Sequence, residues 1–114
     1  MIHAAIEVPL ARRSGEMLIG EALRCWSRAR ALKTDVIPKI YGLLAISGRP
    51  MLAPALASML ALFEDWLGRP PASAGPRQSA DEALLLTLLE EAAGTATPFE
   101  SALCSTRAML WEGL

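Results

Sequence analysis

MLAPALASMLALF, residues 51–63, runs for thirteen positions without a charge, and the surroundings it is built for decide the fold. A membrane-spanning helix needs about 20 predominantly apolar residues. Arg49 and Pro50 precede this run and Glu64 and Asp65 close it, so it is too short to span and reads as a buried helix. Placed at about 100° per residue, Leu52, Leu56, Met59, Leu60, Leu62, Phe63, Trp66 and Leu67 share one arc of roughly 160°, which belongs against a core. The other side carries Ala53, Ala57 and Ala61 at i, i+4 spacing, with Ser58 and Asp65 beside them. A row of small residues lets a second helix approach closely, although alanine is equally a good exposed helix former.

The rest of the chain agrees with a helical reading. Alanine (20) and leucine (19) dominate while valine supplies two residues, so helix formers are abundant and the β-branched residues that fill sheets are scarce. At 114 residues, 53% apolar and 20% charged, the chain is expected to fold as one domain with a core of its own.

Start and stop signals outward from the opening run predict an all-α, compact four- to five-helix bundle. Upstream, a helix over 15–33 follows Ser14, with Glu16 and Glu21 early and Arg28, Arg30 and Lys33 late, the order the helix dipole favours. A second over 35–47 opens at Thr34 or Asp35 and tolerates Pro38 in its first turn. Gly48-Arg49-Pro50 separates it from the third, 51–67, which stops at Gly68. Residues 68–79, GRPPASAGPRQS, read as a linker. Beyond it, Ser79-Ala80-Asp81-Glu82 and Thr97-Pro98-Phe99-Glu100 are capping boxes that start helices over 80–93 and 98–112. Residues 1–13 are expected to form an N-terminal arm, either extended or a short helix broken at Pro9.

The linker also divides the charge. Residues 1–57 hold eight Lys/Arg and four Asp/Glu, and residues 58–114 hold three and eight, so a basic three-helix part faces an acidic helical pair. Such polarity is satisfied within one fold or between two copies packed head to tail. The overall net charge of −1 argues against a polyanion as the main partner, because nucleic-acid affinity comes from many cation–phosphate contacts.

No catalytic, cofactor-binding or metal site is expected. His3 is the only histidine and falls in the arm, where nothing holds a general base in reach of a target. Cys25 and Cys104 have no CxxC or His partner at metal spacing and read as small hydrophobes, with Arg107 the only cation near Cys104 in sequence. The adjacent carboxylates Glu64-Asp65, Asp81-Glu82 and Glu90-Glu91 diverge on a helix and cannot share a proton. The N-terminus lacks the basic start and apolar block of an export signal, which gives a cytoplasmic expectation.

What remains is surface. Leu84, Leu85, Leu86, Leu88 and Leu89 spread over roughly 200° of helix, wider than one core contact uses, and surplus apolar surface usually marks an interface. The leading expectation is a non-catalytic interaction or regulatory protein, a homodimer or a partner of another helical protein, with Leu85, Leu86, Leu89, Ala53, Ala57 and Ala61 at the interface. Two alternatives stand beside it. One is a small apolar-ligand-binding bundle with Met59, Phe63 and Trp66 lining its pocket. The other is a nucleic-acid-associated regulator in which Arg24 and Arg28, one turn apart, contact an anion or acidic partner; a helix-turn-helix reading of the second and third helices fails for want of base-reading side chains on the third.

Overall fold

In the computed structural model, which describes residues 10–72 and 78–111, five α-helices pack around one core and no strand occurs among the described residues. They are α1 (Leu10–Ala31), α2 (Val36–Ile46), α3 (Ala53–Leu67), α4 (Ala80–Glu91) and α5 (Pro98–Trp111), with a 3₁₀ turn over Pro50–Leu52 leading into α3. No helix among the described residues is long and apolar enough to cross a membrane.

The cap chemistry explains most of these boundaries. Asp35 accepts from the Ile37 amide at 3.1 Å to start α2, and Ser79 accepts from the Glu82 amide at 3.1 Å to start α4. At α5 the box is reciprocal: the Thr97 hydroxyl accepts from the Glu100 amide, and the Glu100 carboxylate accepts from the Thr97 amide. The third helix stops where Gly68 takes a left-handed φ of 77°, a conformation that costs glycine nothing.

α1 departs from expectation at both ends. It begins at Leu10, before Ser14, and stops at Ala31 because Lys33 turns left-handed (φ 57°) and the Thr34 amide reaches back to the Ala29 carbonyl at 2.9 Å. Part of the expected N-terminal arm is therefore helical; residues 1–9, including His3, lie outside the described residues, as do 73–77 of the linker and 112 at the expected end of α5. Gly15 sits inside α1 against the Trp111 indole, where a Cβ would collide with the ring. Gly20 has the same role for Glu82, whose carboxylate oxygen would lie 2.6 Å from an added Cβ.

The core is built on α3. Leu56, Met59, Leu60 and Phe63 are fully enclosed together with Ile19 and Leu23 of α1, Ile40 and Leu44 of α2 and Leu85 and Leu89 of α4. Burying one such side chain is worth about 1.5–3 kcal/mol. α3 lies along α5, α1 along α2, and α4 is wedged between α1 and α5.

That wedging corrects the α4 expectation. Leu85 and Leu89 are 0% exposed, Leu84, Leu86 and Leu88 are partly buried against the core, and the wide leucine arc is used inside one chain because α4 has a neighbour on each side. Ala53 and Ala57 are likewise buried against the chain's own helices, which leaves Ala61 as the exposed member of the alanine row. The surplus sits on α2 instead. Ile37, Tyr41 and Ile46 of that helix are exposed, Ile46 on the side opposite Ile40 and Leu44, and Met51 follows at 82% exposure.

Polar contacts tie distant ends together. Arg49 donates to the carbonyls of Met109 (2.5 Å) and Leu110 at the end of α5. Arg107 does the same for Leu89, Glu90 and Ala92 at the end of α4. These guanidiniums cover carbonyls that a helix leaves without partners. The Trp26 indole donates to Glu64 at 2.8 Å, and Arg30 pairs with the same carboxylate.

The start of the linker is held as well. Asp81, buried at the head of α4, accepts from Arg69 at 2.7 and 2.9 Å and from the Ala72 amide at 2.6 Å. The Arg69 hydrogen bonds hold its carboxyl below the ordinary value of 3.8, against the opposing pull of burial.

Candidate functional site

α3 and α4 both pack on α5 but barely touch one another. Toward the α3 and α4 C-termini this leaves an open cleft of about 700 Å³, within the size range of small-molecule sites. Leu62, Asp65 and Trp66 form the α3 wall, Leu88 and Glu91 the α4 wall, and the 92–94 turn with Phe99 and Leu103 of α5 closes the back.

The aromatic residues order this region. Phe63 is fully buried and stacks on Trp66 with ring centroids 6.2 Å apart and planes 16° apart. Phe99 leans on both, 6.2 Å from Phe63 and 5.9 Å from Trp66. Pairs at such separations add about 0.5–1.5 kcal/mol beyond burial. Trp66 nevertheless stays 53% exposed. The helical capping box fixes Phe99 in the second position of α5, and so the back wall is set by local sequence.

The structure places the residues singled out from sequence as follows. Of Met59, Phe63 and Trp66, Trp66 lines the cleft, Phe63 supports it from one layer down, and Met59 is sealed in the core away from it. The residues missed are Phe99, Leu62, Leu88 and Leu103; only their proximity across three helices joins them, and no spacing along the chain encodes that. Arg24 points at Glu82 with a 3.4 Å ion pair, so its charge is met within the fold, while Arg28 is exposed one turn later. α3, which a helix-turn-helix reading would insert into a groove, is the helix most enclosed by the others.

Neither cysteine meets a base. Cys25 is half-buried; burial pushes its thiol up, opposed only in part by Arg28 and Lys39. A raised thiol is a poor nucleophile at neutral pH. The Cys104 thiol donates to the Gly94 carbonyl at 3.4 Å, and Arg107 turns away from it to the end of α4. No group of three or more His, Cys, Asp or Glu side chains suited to a metal ion occurs among the described residues.

Comparison of the chain with protein-family models, with curated proteins and with solved structures gave no match.

Proposed function

We propose that this chain is a non-catalytic binding protein whose working site is the cleft between α3, α4 and α5, and that the cleft takes a small apolar ligand. The half-open Trp66 indole carries this reading. Burying apolar surface is favourable, yet this indole, against which Phe63 and Phe99 pack, stays 53% exposed at the wall of a concavity.

The test uses N-phenylnaphthylamine, a neutral dye whose emission rises in apolar surroundings. Titration is expected to saturate near one dye per chain, and Trp66→Ala or Leu88→Gln to weaken binding about tenfold with helicity unchanged. A linear, unsaturable response would remove the proposal.

A second reading concerns the outer side of α2. Between Asp35 and Glu64 the charges are Lys39 and Arg49 alone, so two α2 faces can meet with little like-charge repulsion. Exposed Ile46, with Met51 close after it and Ile37 and Tyr41 elsewhere on the same helix, supports self-association of two copies through α2 rather than through α4. Stable interfaces bury about 800 Å² per partner, more than the outer side of one 11-residue helix offers, so the dimer is a weak one. Sedimentation equilibrium showing mass rising with concentration, and Ile46→Glu abolishing the rise, is the expected result; a constant monomer mass would exclude it.

A further inference from the structure

The cleft has an electrostatic character that an apolar ligand alone does not require. Three carboxylates, Asp65, Glu91 and Glu100, line it, and among the described residues no lysine or arginine does. Glu100 is engaged by the Thr97 amide. Asp65 and Glu91 are exposed, and their side chains make no ion pair or hydrogen bond among the described residues.

Their positions are also unfavourable for the fold itself. Asp65 lies in the last turn of α3 and Glu91 is the last residue of α4, and neither helix has a basic residue in its final turn. Negative charge near a helix C-terminus adds to the partial charge of the free carbonyls. Arg107 relieves the α4 end from behind, but its guanidinium is committed to three carbonyls. The N-terminus of α5 opens nearby with the opposite polarity, and Thr97 and Glu100 already cover it. The cleft thus combines two carboxylates without an ion pair among the described residues, the negative C-terminal end of α3 and a half-exposed indole, and each of these attracts a cation.

We infer, resting on the reading of the cleft as a ligand site, that its ligand is an organic cation: a ring-bearing apolar body against Trp66, Phe99 and Leu88, with one ammonium or guanidinium group at the Asp65 and Glu91 rim. The apolar walls supply shape and the rim supplies charge selection.

Calorimetric titration with three probes of matched shape separates these parts: naphthylmethylamine (cationic at neutral pH), naphthylmethanol (neutral) and naphthoate (anionic). The cation is expected to bind about tenfold more tightly than the neutral probe, and the anion most weakly. Added salt narrows the gap, since rim charges are screened. The double variant Asp65→Asn/Glu91→Gln should remove the preference, so that it binds naphthylmethylamine no more tightly than it binds naphthylmethanol. Equal binding of cation and neutral probe, or a preference that survives the double variant, overturns the inference and leaves the apolar-ligand reading standing. Absence of binding by all three overturns both.

Discussion

α2 and α4 are of nearly equal length, 11 and 12 residues, and both are rich in large apolar side chains, yet they meet opposite fates. α4 is held between α1 and α5 and hides Leu85 and Leu89 completely, whereas α2, packed on α1 and α3, hides Ile40 and Leu44 but leaves its last residue, Ile46, 89% exposed. The width of an apolar arc tells how much of a helix resists water. It does not tell how many neighbours the helix has. Both helices have two helical neighbours, and what differs is which residues of each apolar arc those neighbours reach.

The largest expected effect lies on the enclosed helix. Leu89→Ala should destabilise by about 2–5 kcal/mol, the usual cost of a cavity at such a site, read from the midpoint of urea unfolding. A change below about 1 kcal/mol would mean that α4 is not packed as described.

Next comes the head of α4. Hydrogen bonds to a buried charged group are worth about 1.5–3 kcal/mol, and Asp81→Asn should lose most of this at neutral pH. The folded carboxyl titrates below its ordinary value, so its stabilisation is fully present above that value and disappears as pH falls through the depressed one. Stability measured against pH should fall less steeply on the acid side in Asp81→Asn than in the parent chain. Identical acid limbs would show that another carboxylate controls it.

Gly15→Ala should cost on the order of 1 kcal/mol, since displacement of the Trp111 ring by the new methyl (about 1–3 kcal/mol) outweighs the gain in helix propensity (up to about 1 kcal/mol). The smallest effect belongs to the exposed end of α2: Ile46→Glu should change stability by no more than about 0.5 kcal/mol. If Ile46→Glu were as damaging as Leu89→Ala, the contrast between the two helices would collapse.

Much of this fold was legible because its instructions are local. Asp35, Gly68, Ser79 and Thr97 each mark a helix end by a hydrogen bond or a backbone conformation reached within a few residues. Ser14 resembled such a signal but lies within α1, and the room that Gly15 leaves for the Trp111 ring is a long-range matter that no local signal announces. α4 was expected to run to 93 and ends at Glu91, with Arg107 covering its carbonyls from 15 or more residues away. Arg49 capping α5 is equally remote. The site followed the same division: Trp66 was visible as a large residue on the apolar face of α3, but Met59 and Leu62 exchange roles, core for cleft wall, through a modest rotation of that helix. The cleft itself exists because α3 and α4 diverge over α5, a fact of tertiary packing that no window of sequence contains.

The most direct test of the cleft reads its three tryptophans separately. With 5-fluorotryptophan incorporated, fluorine NMR gives one resonance each for Trp26, Trp66 and Trp111, and titration with a neutral naphthyl probe should move the Trp66 signal saturably while the buried Trp26 signal stays in place. A shift confined to Trp26 or Trp111, or no saturable shift at Trp66, would contradict the account.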